Sequence, residues 1–584
     1  GEEPDLEVAL GIARGVGASY AVMGSAVDLG SGVRISAEVY DLSTGESIGR
    51  AGVEGSADSV LTLVDRLSIG VLQHVVALSP DELPRFDVRE ITTSSLEALR
   101  AYLAGEQRFR RGLWEEAVED FTRALDEDST FALAAIRNSQ AYGWTEGFSR
   151  RVLEFSQQAE RNADRLPPRA AMFIHAFAEL LEQRRSSIEA LEALTARYPD
   201  HVEARFALGE AYYHFGERAF FDAEKHRQAF RRALELDPSY SPAYIHLIED
   251  AFARRDSAET RTLLDSYSAL SPGGPHAIGF NLLSDLAWGE AAVRERAIEA
   301  LDTVDAEALR NASTAAIREG AYPWEVSLLV SDALTDSRID EGNRTRGHLG
   351  LSWNYLARGR LEESREPLRT FLVMRDYPPS IAEDAASMWL SVNGYPASAP
   401  QQLASKPDDF AHFVDAAYAA DQGRFSVIED EIAGYELRAE EAAAEGDEIG
   451  GLAYGSFAQA LSAYSALRRG DLPLAVAEYQ KPMPRLPVWA SGLLRFSIGK
   501  ALLEDGDAAE AEKYLKSVAP FYVGNVPSQY YLGETYEALG EPERARLHYA
   551  SFVRWWEEAD PELQPWVERA RDALERLTRE NRSD

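Results

Sequence analysis

Residues able to do chemistry are sparse in this 584-residue chain, and their spacing decides what to expect of them. Its ten histidines are scattered, with no His-Glu-x-x-His and no histidine–carboxylate set at metal-ligand spacing. The nearest approach is His214, Asp222, Glu224 and His226. Imidazole nitrogens and carboxylate oxygens are donors that zinc accepts, and a helix through 222–226 would put Asp222 and His226 on one face. Exposed polar residues on an insertion account for these four equally well, and that is the expectation. Gly11, Gly15 and Gly17 lack both a preceding strand and a following Lys-Ser/Thr, so they read as helix-packing and capping glycines rather than a phosphate loop. No Gly-x-Ser-x-Gly elbow is present. The absence of cysteine removes thiolate nucleophiles, disulfides, zinc fingers and iron–sulfur ligation, and leaves the redox compartment open. The expectation is no catalytic residue, no metal site, no cofactor and no enzyme.

Charge narrows the partners. Lys and Arg number 60 against 97 Asp and Glu, a formal net charge of −37, so phosphate-rich nucleic acid and anionic lipid would be repelled. No stretch reaches the roughly 18–20 apolar residues that span a bilayer, and no membrane insertion within the chain is expected. The sequence opens on Gly1 and enters a helical pattern at once, which points to a processed or partial polypeptide. Asn311, Asn343 and Asn581 head glycosylation-type triplets that are expected to be fortuitous.

Residues 5–16 place Leu6, Ala9, Leu10 and Ala13 on one helical face, closed by Gly17. Stretches 19–28, 33–41 and 47–54 are strand-like, with turns at Gly30-Ser31-Gly32 and Ser43-Thr44-Gly45, and helical periodicity returns over 57–78. The predicted order is helix, three-strand meander, helix. The run Gly11–Ser25 (GIARGVGASYAVMGS), Val33–Ile35 and Asp41–Glu46 (DLSTGE) resembles the amino-terminal α/β domain of TolB and related modules that precede tetratricopeptide repeats in bacterial signalling proteins. That resemblance implies a partial module over 1–80 whose missing elements leave an open sheet edge.

Residues 81–95 carry proline and turn residues and read as a linker, after which Ser94 and Glu97 form a capping box into a long helix. Small residues then recur with a fixed period: Gly506 to Gly540 and Ala511 to Ala545 are both 34 apart. The final copy, Leu532, Gly533, Tyr536, Gly540, Ala545 and Tyr549, is similar to the tetratricopeptide (TPR) signature. The resemblance implies a mainly α fold: a right-handed TPR solenoid of about thirteen helix pairs over 96–559, after a small incomplete α+β domain. Units near 275–344 and 379–455 are degenerate, unit 202 carries a five-residue insertion around Arg218–Phe221, and 560–584 is a capping helix that Asp560-Pro561-Glu562 would start.

In that family the concave surface is lined by the first helix of each pair, which maps it onto Tyr102, Glu106, Phe109, Trp144, Phe206, Glu210, Tyr213, His214, Glu249, Phe252, Trp353, Tyr530 and Glu534. The lining is aromatic and acidic, which suits a peptide or protein with apolar anchors and basic flanks. It lacks the lysine and asparagine with which chaperone-binding repeats clamp a terminal carboxylate. Two functions are expected from these features. One is a binding scaffold, the extracytoplasmic or regulatory region of a bacterial signalling protein. The other is a structural subunit that self-associates head to tail. The compartment is open, with an extracytoplasmic location favoured by the resemblance.

Overall fold

A computed structural model describes residues 6–29, 32–55, 63–64, 67–68, 70–71, 74–75, 92–147, 149–183, 186–216, 220, 223–318, 324–518 and 524–580. Gly1, the Gly30-Ser31 turn, much of 57–78, the linker up to residue 91, Arg218, Phe221, Asp222 and Asn581 lie outside them. The chain divides into two compact units, Gly1–Leu181 and Glu182–Asp584.

In the first unit, the helix Leu6–Gly15 precedes β1 (Tyr20–Asp28), β2 (Val33–Asp41) and β3 (Ser47–Gly55). They form an antiparallel meander in the order β1-β2-β3, with Tyr20 opposite Asp41, Val33 opposite Gly55 and a bulge at Val39/Tyr40. The Asp41 carboxylate accepts from the Ser43 amide at 2.8 Å and the Thr44 amide at 3.3 Å, and Gly45 takes φ +75°, so the DLSTGE run is an Asx-type turn. Alternation puts Ala37, Val39 and Ala51 on a buried face, where Leu63 and His74 from helical residues of 63–75 lie over Gly55 and Gly49. Gly17 ends the first helix at φ +76°, but a Cβ on Gly11 or Gly15 would meet nothing within 4 Å. Their expected packing role is corrected: both glycines face open space.

Arg100, on the helix Leu96–Arg110, donates to the Tyr20 hydroxyl at 3.0 Å and to the Val75 carbonyl at 2.9 Å, tying the module to the first helix pair. That helix is capped one residue later than the sequence pattern indicated. The Ser95 hydroxyl, not that of Ser94, accepts from the Ala98 amide at 3.2 Å.

The helix pairs share one packing rule. A Cβ on Gly105 would lie 2.6 Å from the Phe121 ring, on Gly533 2.5 Å from the Tyr549 ring, and on Gly499 2.8 Å from Leu515. Each glycine precedes the side chain that fills its gap by 16 residues. Gly209 meets Phe230 in the same way, 21 residues on, which is 16 plus the five-residue insertion. Only a residue without a Cβ lets the ring seat flat between the two helices. The helices of each unit form a solenoid of tetratricopeptide type. The degenerate stretches are helical too: Pro275–Trp288, Ala306–Arg318, Pro379–Val392 and Asp409–Asp421. Helix Pro379–Val392 stands single. The irregular strip 393–408 replaces its second helix and is pinned by the Leu403 amide and the Lys406 ammonium on Asp415, at 2.8 and 2.9 Å.

From Leu356 to Leu577 the second unit has a continuous apolar core. Asp560, expected to cap the last helix, caps a different one. Its carboxylate accepts from the Glu362 amide at 3.1 Å, and its amide donates to the Gly359 carbonyl at 3.0 Å. The last helix instead begins later, at Gln564–Glu580.

One titration follows from this packing. Burial, reinforced by Arg544 and Lys516, pushes the His548 imidazole down to about 4, with the ring stacked on Tyr536 at 5.1 Å. The unfolded chain, at about 6.5, takes up its proton first, so His548 contributes stability above pH 6.5 that is lost as pH falls toward 4. Discounted for partial exposure, the loss is on the order of 2 kcal/mol. Urea titrations at pH 7 and pH 4.5 should show a smaller drop for His548→Gln than for the wild-type chain, and an equal drop would refute the assignment.

Candidate functional site

Helix Val202–Phe215 sets Phe206 and Gly209 toward its partner helix and turns Glu210, Tyr213 and His214 to the adjacent first helix, Pro242–Ala253. Phe206 is buried against Phe230 and Tyr240, with ring centroids 5.7 and 5.3 Å away. Glu210 and His214, one turn apart, approach to 3.5 Å between Oε2 and Nε2. From the next helix, His246 brings Nε2 to 3.0 Å from Glu210 Oε1 and donates from Nδ1 to Glu249 Oε2 at 2.6 Å. The Tyr213 hydroxyl donates to the same Glu249 oxygen at 2.8 Å, and its ring stacks on His246 at 4.1 Å.

Burial works against a charged His246, yet the flanking Glu210 and Glu249 carboxylates outweigh it and hold the imidazole at about 9. Burial likewise raises the Glu210 carboxyl, but His246 and His214 more than offset this and leave it well below the usual range. His276 is partly buried, and burial pushes it down to about 4 against the pull of Glu249.

The ligand-type grouping of His214 with Glu224 and His226, which was not the expectation, does not form, but the expectation of exposed polar residues is corrected for His226, which is buried. His226 turns to Asp250 at 3.3 Å, where Arg227 and Arg254 also bind, and Glu224 is taken by Arg227 at 2.8 Å. His214 pairs instead with a residue 32 positions on, His246, which the sequence reading did not single out. The side-by-side placement of first helices in neighbouring repeats brings the two together, and their 32-residue interval matches no repeat spacing.

Elsewhere the mapped inner positions divide into packing and surface. Tyr102 is buried between Phe121 and Phe131, and Glu106 is buried with Arg137 and Arg110. Phe109 lies under Arg137 and edge-on to Trp114, while half-buried Trp144 stacks on Trp114 at 5.0 Å. Phe252 stacks on Trp288 at 4.9 Å, and Trp353 packs on the core. Glu249, Phe252 and Tyr530 are buried, whereas Glu210, Tyr213, His214, Trp353 and Glu534 keep partial exposure.

Near the carboxyl end the structure adds residues absent from the mapping. Phe496, Tyr531 and Trp566 stand on three successive first or capping helices at intervals of 35 residues, with ring centroids 5.8 Å apart at each step. The Lys500 ammonium lies 4.9 Å from the centre of Tyr531 and 5.5 Å from that of Phe496, and burial, then Arg468, lowers its pKa. Burial raises the Glu534 carboxyl beside them.

No protein-family model and no curated protein matches the chain. Solved structures that align with it include the Cut9–Hcn1 hetero-tetramer of the APC/C, at 11% identity over 81% of this chain and 96% of that one, TM-score 0.23. Another is the TPR domain of P58(IPK), at 14% identity over 82% and 98%, TM-score 0.17. The tetratricopeptide character of the helices rests on the glycine–aromatic geometry above. Among the described residues no helix is long and apolar enough to cross a membrane.

Proposed function

We propose that the chain is a non-enzymatic scaffold that binds a peptide or protein on the inner faces of its helix pairs, taking apolar anchors on aromatic rings and basic flanks on carboxylates. The observation that carries this reading is the Phe496–Tyr531–Trp566 row, one ring per helix set edge-on to the next, in which buried Phe496 backs the row and the partly exposed Tyr531 and Trp566 rings are the ones a ligand can reach. Such a row gives regularly spaced apolar contacts, and Glu504, Glu534 and Glu537 beside it, on a chain of net charge −37, steer cationic residues toward it. The DLSTGE turn and the motif at 11–25 support the finer reading of a TolB-like module on the extracytoplasmic or regulatory part of a bacterial signalling protein.

The test uses a fluorescein-labelled twelve-residue peptide alternating leucine or phenylalanine with lysine, and its glutamate counterpart. Anisotropy should show the lysine peptide binding more tightly than the glutamate one, and Tyr531→Ala should weaken it roughly tenfold, a loss of about 1.4 kcal/mol. Equal binding of both peptides, or by both proteins, would end the proposal. The alternative of head-to-tail self-association draws on the exposed Val8, Ile12, Val22 and Val27 of the first helix and of edge strand β1. A concentration-dependent sedimentation coefficient in the same samples would favour it.

A further inference from the structure

We propose that Glu210, His214 and His246 form a three-ligand site for a divalent transition metal ion of the zinc class. One donor atom from each of the three lies within 4.8 Å of the others. Zinc bonds of about 2.0–2.1 Å in a tetrahedron set ligand atoms roughly 3.3 Å apart. His246 Nε2 lies 3.0 Å from Glu210 Oε1 and His214 Nε2 lies 3.5 Å from Glu210 Oε2, so the two oxygens of one carboxylate stand between the two imidazoles, each close to that spacing from its neighbour. The remaining histidine–histidine edge closes by rotation of the partly exposed His214 ring.

Backbone placement makes the arrangement durable. Glu210 and His214 rise from one helix one turn apart, and His246 faces them from the neighbouring first helix, so the three ligands join two repeats. The surroundings match what a metal-bound histidine requires. His246 donates from Nδ1 to Glu249, which fixes the tautomer and turns Nε2 toward Glu210. Tyr213 then fixes Glu249 through its hydroxyl and covers the imidazole with its ring.

Charge agrees as well, because a divalent cation balances the Glu210 and Glu249 carboxylates. The donor set, two imidazoles and one carboxylate, suits zinc, copper or nickel and not calcium or magnesium, which take mostly oxygen. His246 and Glu249 are 5 and 7% exposed, while Glu210 and His214 are 17 and 24% exposed. The fourth coordination position therefore opens on the Glu210–His214 side, to water or to a donor atom of a bound partner. His226 and Asp250 stay outside the set, because His226 pairs with Asp250 and Asp250 is held by Arg227 and Arg254.

This inference is independent of the peptide-binding proposal, and its test uses no peptide. The full chain, stripped with EDTA and dialysed, is titrated with zinc chloride by calorimetry and with cobalt chloride by visible absorption. The expected result is about one equivalent of zinc, with intense cobalt ligand-field bands from a tetrahedral nitrogen–oxygen site. His214→Ala, at a partly exposed position, should keep the wild-type circular dichroism spectrum, lose the cobalt bands and weaken zinc binding about 100-fold or more. Glu249→Gln, which touches no ligand atom of the metal, should weaken it roughly 10–100-fold. Failure of the wild-type chain to take up stoichiometric zinc would overturn the proposal, as would equal uptake by His214→Ala. In either case Glu210, His246 and Glu249 form only a buried ion-pair triad.

Discussion

Gly533→Val should destabilise the last repeats by about 3 kcal/mol, the upper part of the range for overpacking a filled core. A Cβ at 533 would meet the Tyr549 ring at 2.5 Å, and this ring cannot move aside. It is 2% exposed, its hydroxyl donates to Glu537 Oε1 at 2.8 Å, and Tyr530 lies edge-on against it at 5.8 Å. The β-branched side chain adds a second methyl on the same face of the helix. In an array where each hairpin leans on its neighbours, the loss should appear as early unfolding of Asn525–Ala538 and Pro542–Trp555 ahead of the remaining helices. Urea denaturation gives the total, and hydrogen exchange gives the place. If ring and methyl compete for one volume, the valine should cost about 1–2 kcal/mol less in a Tyr549→Leu background. An unchanged cost there would mean that the glycine serves something other than the close approach.

The same glycine–aromatic geometry explains why so much of the architecture was legible in the sequence. Position-specific demands that repeat every 34 residues leave a periodic mark, and the 21-residue interval from Gly209 to Phe230 preserves even the five-residue insertion. Strands β1 to β3 were readable for a different reason, since β-branched alternation and a DLSTGE turn specify a meander locally. What escaped is non-local. Asp560 has the composition of a cap for the helix that follows it, and nothing in its neighbours shows that its partner is Glu362. His246 belongs with Glu210 only because two first helices lie side by side, and its own neighbours, Ile245 and Leu247, are buried core residues. The inner-face mapping met a physical limit too. Positions facing the concave side of one helix also face the next helix, so Tyr102, Phe109, Phe206 and Phe252 fill that junction, while Glu210, Tyr213, His214 and Glu534 stand at its rim.

The contact between Asp560 and Gly359 changes how the second unit should unfold, and Trp556→Ala is the substitution that exposes it. Trp556 is 1% exposed, and its ring lies 4.9 Å from Phe552, 5.9 Å from Trp566 and 6.1 Å from Tyr395, on the strip that replaces a helix. A Cβ built on Gly359 would lie 3.3 Å from the same ring. Truncating so large a buried side chain costs about 4 kcal/mol. In an open solenoid that cost would be felt only by adjacent repeats. Here one indole is shared by segments about 200 residues apart in sequence, and the Asp560 carboxylate caps the helix Leu361–Val373 from the far end of the unit. Hydrogen exchange in Trp556→Ala should therefore accelerate in Glu341–Ala357 and Leu361–Val373 as well as in Pro542–Trp555. Asp560→Ala should give the same distant pattern at a cost of about 1 kcal/mol, because it removes the cap and leaves the indole in place. Exchange that quickens only around residues 542–580 would mean that the two segments touch without sharing stability. Exchange that quickens in both would make this stretch a closed cooperative body, whose inner surface is set by that closure rather than by the pitch of its repeats.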